Sequence, residues 1–241
     1  MTDKIERRDF IHGVGLVASA TAAATLLTQT ASAQAPAAPS GGARAYQPKP
    51  LSIDPKTVNG ISEKVITSHY ENNYMGAVRR LNAIGTQLAE LDFSKASVFV
   101  INGLKREELI AMNSMILHEA YFDGLGGAGR PTGGLAEAIT RDFGSLDKWR
   151  TEFSAMGKAQ GGGSGWVILS YSPRDKRLIN QWASDHTTNA SGGRPVVVLD
   201  MYEHAYHMDY GAAAARYVDA YMEAIRWDAA VKLYDQYVRA A

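Results

Sequence analysis

The chain has 241 residues, 46% of them hydrophobic, with 25 lysines and arginines, 25 aspartates and glutamates, and no cysteine. This length supplies enough apolar side chains for a substantial core in one domain or in two small ones. The zero net charge argues against a nucleic-acid-binding protein, which usually carries a basic face. The absence of cysteine excludes disulfides, cysteine-ligated zinc, iron–sulfur clusters and thiol nucleophiles. Metal chemistry would therefore have to use His, Asp and Glu.

Residues 1–33 have the pattern of an export signal. The pair Arg7-Arg8 precedes an alanine-rich apolar stretch over residues 10–27, and residues 31–33 (Ala-Ser-Ala) are the small residues that a signal peptidase accepts. The arginine pair resembles a twin-arginine signal, which directs folded proteins to the twin-arginine export machinery. A membrane anchor is the alternative, but polar residues and glycines interrupt a run that would need ~20 apolar residues. We therefore predict a cleaved signal peptide and a periplasmic mature protein.

The first part of the mature chain is predicted to be a linker followed by helices. Residues 34–50 are rich in Ala, Pro and Gly, which predicts a flexible linker. Apolar residues recur at helical spacing over residues 61–91 and again over residues 106–122. These two helices predict an antiparallel hairpin that forms an N-terminal domain, residues 51–130.

The C-terminal domain, residues 131–241, is predicted to mix helices and strands. Helical patterns over residues 134–143 and 146–160 are separated by Ser145, a suitable N-cap. Helical spacing returns near the C-terminus, over residues 211–238. Between these helices, strand patterns are found over residues 166–171, 177–183 and 196–199. Helices, then strands, then helices favour an α+β fold over an alternating α/β sheet.

Two histidines and one aspartate suggest a metal site. His69 lies midway along the first predicted helix and His118 midway along the second, so both can face the seam between the helices. Asp200 ends an apolar strand, where a buried carboxylate is costly unless a cation or several donors satisfy it. With one further histidine, these residues would give three nitrogens and one oxygen, which suits Mn, Fe or Zn. A mid-helix histidine is more often an ordinary hydrogen-bonded residue, so spacing alone leaves this convergence open.

A heptapeptide that contains this aspartate carries a family resemblance. Asp200-Met201-Tyr202-Glu203-His204-Ala205-Tyr206 resembles the signature Asp-x-Trp-Glu-His-Ala-[Tyr/Phe] of iron/manganese superoxide dismutases. The resemblance extends from about residue 51 to the C-terminus. Other segments similar to the family occur in family order: Ser68-His69-Tyr70, Leu81-Asn82, His118-x-x-x-Phe122, Pro131-Thr132-Gly133, Asp142-Phe143-Gly144-Ser145, Gly163-Ser164-Gly165-Trp166 and Ile225-Arg226-Trp227-Asp228.

The resemblance implies a fold, a metal site and an activity. The implied fold is a helical hairpin followed by a domain with a three-stranded antiparallel sheet flanked by helices. One Fe or Mn ion per chain would be held by His69, His118, Asp200 and His204, with a solvent molecule as a further ligand. The implied activity is that of a superoxide dismutase, which disproportionates superoxide to dioxygen and hydrogen peroxide. The sequence does not separate Fe from Mn, because both use the same four ligands.

Three further residues are candidates for catalytic roles beside the metal. His186 lies where the family places a Gln or a His that hydrogen-bonds the metal-bound solvent, while Ser114 occupies the alternative place on the second helix. Tyr70 comes directly after the first ligand, and Glu203 directly before the last. In the family, the residue at Glu203 reaches across a dimer interface to the partner's His204. The resemblance therefore implies a homodimer with Glu203 and His204 at the interface.

Three positions depart from the family pattern. Counting from His69, the family usually has a His four residues on and a gateway Tyr eight residues on, where this chain has Asn73 and Ala77. An interface Tyr is replaced by His207. All three fall on the substrate funnel and its proton relay, so either the relay tolerates variation or a wider entrance has changed the activity. Two alternatives to the dismutase stay open on the same fold: a divergent peroxidase-like redox metalloprotein and a non-catalytic metal-binding protein.

Overall fold

The computed structural model describes residues 45–240. The predicted signal, residues 1–33, lies outside the described residues, as do residues 34–44 of the predicted linker. The described part of that linker, residues 45–50, lies against the helices. The backbone of Tyr46 exchanges two hydrogen bonds with the side chain of Asn82, each 2.8 Å long. The Lys49 amide donates to the Tyr74 hydroxyl at 2.7 Å.

The first predicted helix is divided by a π-helical segment. Helix α1 spans Glu63–Ser68, a π-helix spans His69–Tyr74, and helix α2 spans Met75–Glu90. Ser62 caps α1 by accepting a hydrogen bond from the Val65 amide. The prediction of one uninterrupted α-helix over residues 61–91 is therefore wrong, because a π-helical segment divides it. A π segment changes which side chains face the core, and such segments are frequent at functional sites.

Helix α3, Val98–Asp123, packs against α2 and completes the hairpin. Ser97 caps it, and it ends at Gly124. The helix begins well before the predicted start at residue 106. The prediction missed its first turn because residues 98–100 are apolar but exposed. That turn breaks the amphipathic pattern on which the prediction depended.

The C-terminal domain surrounds a small sheet. Helices α4, Gly133–Phe143, and α5, Leu146–Ala159, come first, and Ser145 caps α5 as predicted. Strands β1, Trp166–Ser172, β2, Arg177–Ala183, and β3, Arg194–Asp200, form a three-stranded antiparallel sheet in the order β2-β1-β3. This confirms the predicted α+β class. The register sets Trp166 at the start of β1 opposite Asp200 at the end of β3.

The last part of the chain forms three helices, two of which lie within residues 211–238, where a single helix was predicted. They are α6, His207–Tyr210, α7, Ala214–Ala224, and α8, Trp227–Arg239. At the break between α7 and α8, the backbone of Ile225 forms an isolated antiparallel β-bridge with Leu125, just after the end of α3. Gly127 fits this junction because a Cβ there would lie 2.4 Å from the Arg226 Cα. None of the helices in this part of the chain, residues 45–240, has the length and apolar character needed to cross a bilayer.

Candidate metal centre

Four side chains from four separate elements converge at one point of the core. His69 comes from the π segment, His118 from α3, Asp200 from the end of β3 and His204 from the 3-10 turn Glu203–Ala205. One ligand atom from each lies within 4.8 Å of the others. The Asp200 Oδ2 is 3.1 Å from His69 Nε2, 3.6 Å from His118 Nε2 and 3.3 Å from His204 Nε2. The set is the one that the resemblance implied.

The burial of these donors fits a bound metal. His69, His118 and Asp200 are at most 1% exposed. The Nε2 atoms of His69 and His118 have no hydrogen-bond partner. A buried polar atom without a partner costs about 1–3 kcal/mol. A cation between the imidazoles and the carboxylate would satisfy all of them at once, and His and Asp are ligands suited to Fe and Mn.

Hydrogen bonds to the surrounding backbone orient two of the ligands. The Nδ1–H of His118 donates to the Ser114 carbonyl oxygen at 2.6 Å, which leaves Nε2 as the free lone pair. The Asp200 Oδ1 accepts the Tyr202 amide at 2.8 Å, so Oδ2 is left for the metal. Each of these two ligands thus has one atom held by the protein and one turned to the shared point.

The protonation states also suit metal binding. Burial lowers the pKa of His118 to about 3 and also lowers the pKa of His69. Burial raises the pKa of Asp200, but His204 and His69 outweigh it and hold this pKa well below its usual range. At neutral pH these two imidazoles are neutral and Asp200 is a carboxylate, the forms that bind a cation without first releasing protons.

Comparison with known proteins gives the same family. Residues 131–233 match the family described as iron/manganese superoxide dismutases, C-terminal domain. The chain is 64% identical to a superoxide dismutase [Fe] of Cupriavidus metallidurans over 194 residues, 80% of this chain and 98% of that protein. The chain belongs to the iron/manganese superoxide dismutase family. It is 35% identical to superoxide dismutase [Mn] 2 of Halobacterium salinarum, over 74% of this chain and 88% of that protein. It is 34% identical to a superoxide dismutase [Fe] of Aquifex aeolicus, over 83% of this chain and 95% of that protein.

Within this family fold, His186 lies beside the metal centre and its tautomer is fixed. The indole Nε1–H of Trp166 donates to His186 Nδ1 at 3.0 Å. Trp166 has no other polar hydrogen to give, and an indole nitrogen cannot accept. His186 must therefore carry its own hydrogen on Nε2, and burial lowers its pKa, which favours this neutral form. Its ring centroid is 6.2 Å from that of His118, and it stacks on Tyr202 at 4.9 Å.

The other two catalytic candidates are placed differently. The hydroxyl of Tyr70 donates to the Lys49 carbonyl at 2.7 Å, and its ring packs beside Phe122, so the hydroxyl is used in holding the N-terminal segment. Glu203 is exposed next to His204, whose side chain is itself 27% exposed. The structure thus brings His186 to the metal centre, while Tyr70 supports it from outside and Glu203 lies on the surface.

Two residues that support the centre were not singled out for this role by sequence reasoning. Asn113 donates from Nδ2 to the His186 carbonyl at 2.5 Å and so ties the loop of His186 to α3. The Ser114 carbonyl orients His118. The second contact has a sequence signal, since the carbonyl four residues before a helical His is always near. The first has none, because it joins residues far apart in the chain.

The three departures from the family pattern occupy distinct surroundings. Ala77 is buried in the first turn of α2, and Asn73 is half-buried in the π segment. His207 is exposed at the start of α6. The three positions thus hold an amide, a methyl group and an imidazole.

Proposed function

We propose that this protein is an iron-dependent superoxide dismutase. The observation that carries the proposal is the convergence of His69, His118, Asp200 and His204, three of them buried, with the Nε2 atoms of His69 and His118 left without a hydrogen-bond partner in the core. We propose iron rather than manganese as the metal, because the relative with 64% identity is a superoxide dismutase [Fe], while a relative named for manganese is 35% identical. Iron held there would supply one-electron chemistry by alternating between its +3 and +2 states.

The protein's own residues attract the anion and supply a hydrogen bond. Three neutral imidazoles and a single carboxylate leave a bound ferric or ferrous ion with excess positive charge, which attracts superoxide. The Nε2–H of His186, fixed by Trp166, is a donor at the edge of the centre. A donor in this place can hold a proton near the reacting oxygen and tune the metal.

We further propose that the working form is a homodimer built on the surface around Glu203. Glu203 is exposed, and His204 keeps part of its side chain at the surface although it is a ligand. A carboxylate that hydrogen-bonds the free nitrogen of a ligand histidine strengthens its hold on a metal. Contact with the partner's His204 would give Glu203 that role.

We propose that the protein works in the periplasm after twin-arginine export. The support is the sequence of residues 1–33, with its arginine pair, apolar stretch and Ala-Ser-Ala end.

The experiment that tests the activity uses the mature chain, residues 34–241, loaded separately with iron and with manganese. We expect one metal per chain in each case, and strong superoxide dismutation with iron. The variant Asp200→Asn should lose metal and activity, because it removes the charged ligand, while Asp175→Asn, in the turn between β1 and β2, should change neither. A full complement of iron with little dismutation would contradict the proposal and favour the peroxidase-like alternative.

A further inference from the structure

A set of tyrosines leads from the metal centre to the surface and is not used by the dismutation chemistry. The ring of Tyr121 packs on the ligand His69 with ring centroids 5.1 Å apart. Its hydroxyl is hydrogen-bonded to that of Tyr217, with 3.2 Å between the oxygens. The ring of Tyr217 is 6.1 Å from that of Tyr210, which is half-buried and reaches solvent.

Tyr217 is the junction of this set. Besides Tyr121 and Tyr210, its ring contacts Tyr206 at 5.1 Å and Tyr221 at 6.4 Å. Tyr121, Tyr217 and Tyr221 are all 0% exposed. Packing alone would be served by phenylalanine, which avoids the cost of burying a hydroxyl. A phenol ring is oxidised by one electron far more readily than the benzene ring of phenylalanine.

We propose that Tyr121, Tyr217 and Tyr210 form an electron path from the protein surface to the metal centre, which gives the protein a peroxidase activity. The inference rests on the proposed function, because it requires iron in the centre and hydrogen peroxide, the product of dismutation, as oxidant. The electrons come from a one-electron donor in solution, a small phenol, which reacts with Tyr210 at the surface.

The electrons and protons of this step balance. Hydrogen peroxide takes one electron from ferrous iron and one from the tyrosine path; its O–O bond breaks, and two hydroxide ions form. Electrons move inward from Tyr210 to Tyr217 to Tyr121. The Tyr210 hydroxyl donates to the Gly60 carbonyl at a half-buried, solvent-accessible position, and on oxidation its phenolic proton leaves this hydrogen bond for solvent, so that a neutral radical remains. The guanidinium of Arg216, with its carbon 6.0 Å from the Tyr210 ring, disfavours a positive charge on that ring and so favours proton release. The phenolic donor then returns an electron and a proton to Tyr210. A second molecule of the donor sends an electron along the same path and returns the ferric iron to the ferrous state, and the proton that it releases, with the one released from Tyr210, neutralises the two hydroxide ions.

A second group of tyrosines is less suited to this role. Tyr70 and Tyr74 also lie near the centre, but their rings pack on Phe122, a ring that is not readily oxidised and that itself packs on His69. The path through Tyr121 instead has an oxidisable ring at each step.

The test locates the radical. Protein loaded with ferrous iron under anaerobic conditions is mixed with equimolar hydrogen peroxide and a nitroso spin trap, and the trapped residues are identified by peptide mass spectrometry. We expect the adduct on Tyr210 in the unaltered protein. Tyr217→Phe keeps the ring but interrupts the path, so the Tyr210 adduct should be lost and oxidation should appear on Tyr121 and His69.

Two further variants complete the design. Tyr234→Phe changes a buried tyrosine that pairs with Tyr171 away from this path, and should leave the Tyr210 adduct unchanged. Tyr210→Phe should shift the adduct inward to Tyr217. Iron content and dismutation, measured on the same preparations, test the proposed function separately and should be unchanged in Tyr217→Phe. A Tyr210 adduct that survives Tyr217→Phe, or oxidation confined to Trp166 in the unaltered protein, would overturn the path.

Discussion

The indole of Trp166 decides which nitrogen of His186 carries a hydrogen. Its Nε1–H donates to His186 Nδ1, so the imidazole must present Nε2–H on its other side. The indole is 0% exposed, which protects this bond from competition with water. A single hydrogen bond thus sets which nitrogen of His186 is the donor.

Replacing Trp166 should therefore impair turnover without emptying the site. In Trp166→Phe the tautomer of His186 is no longer fixed, and we expect dismutation to fall about 10-fold or more. Iron content should stay near that of the unaltered protein, since no ligand is changed. Pulse radiolysis and metal analysis on the same sample measure both quantities.

Two comparisons separate this role from a loss of packing. Trp182→Phe alters an exposed tryptophan of β2 and should leave the rate unchanged. His186→Gln, which keeps an N–H donor, should retain more activity than His186→Leu. Equal activity in these last two variants would contradict a hydrogen-bonding role for His186.

The residues of the centre differ in how far the sequence revealed them. His69, His118, Asp200 and His204 were predicted, because the segments around them resemble the family and ligand chemistry allows few residue types. The placement of Tyr70 could not be predicted, since its hydroxyl is directed by the backbone of Lys49, a contact that no local pattern encodes. The hydrogen bond from Trp166 to His186 could not be predicted either, because it joins a strand to a loop that is distant in the sequence.

Among the helices, the π segment joins the ligand His69 to the first turn of α2. Residue 77 comes eight residues after the ligand, about two turns further on, and so returns to a similar side of the helix. The family usually has a tyrosine there, whereas this chain has buried Ala77. The metal centre consequently lacks a phenol that the family pattern would provide from this helix.

Restoring that phenol should raise the rate. We expect Ala77→Tyr to increase superoxide dismutation at unchanged iron content, because a positioned hydroxyl can assist proton transfer. Ala83→Tyr, on the exposed side of the same helix, is the matched control and should have no effect. An iron-replete Ala77→Tyr protein with no gain would mean that other groups already perform this proton transfer.

Helix α4 is joined to strand β2 by one carboxylate. Asp142 accepts the Leu178 amide at 2.7 Å and two bonds from Arg141 at 2.8 and 2.7 Å. Burial raises the pKa of Asp142, but the Arg141 and Leu178 hydrogen bonds outweigh it and hold this pKa below its usual range. The ionised form is therefore the one that stabilises the fold.

This contribution should disappear in acid. Because the folded pKa is lowered, the stabilisation is present above the unfolded pKa of about 3.9 and is lost as the pH falls through the folded value. We expect Asp142→Asn to lower the free energy of unfolding at neutral pH, with the difference closing in acid. Denaturant titrations across this range measure it. Asp147→Asn, on the exposed start of α5, should show no comparable change.

Prediction of the elements succeeded where the local pattern decides the structure. The strand over residues 177–183 and the Ser145 cap result from alternation and capping chemistry. The break between α7 and α8 could not be predicted, because it is made by the pairing of Ile225 with Leu125 in the hairpin. The π segment was missed for a related reason: helical periodicity does not distinguish a brief π turn from an α turn.

At the scale of the whole molecule, the proposed dimer can be tested by the molecular mass of the protein in solution. We expect the unaltered protein to sediment as a dimer and Glu203→Ala to shift towards monomer, because a two-fold interface repeats each lost contact. Iron should also be held less tightly in Glu203→Ala. Glu137→Ala, on an exposed position of α4, should sediment like the unaltered protein. A Glu203→Ala protein that remains dimeric and retains its iron as firmly would contradict the proposed contact.

The order in which the ligands occur along the chain has a consequence for biogenesis. His69 and His118 come from the helical hairpin, while Asp200 is the last residue of the final strand and His204 follows it. Bringing them together requires closing a long loop, an entropic cost that is met only when the hairpin and the sheet have packed together. A chain still emerging from the ribosome, or one truncated before its last strand, offers half of the donors at most. Tight retention of a metal ion by these four residues would therefore mark a fully folded chain.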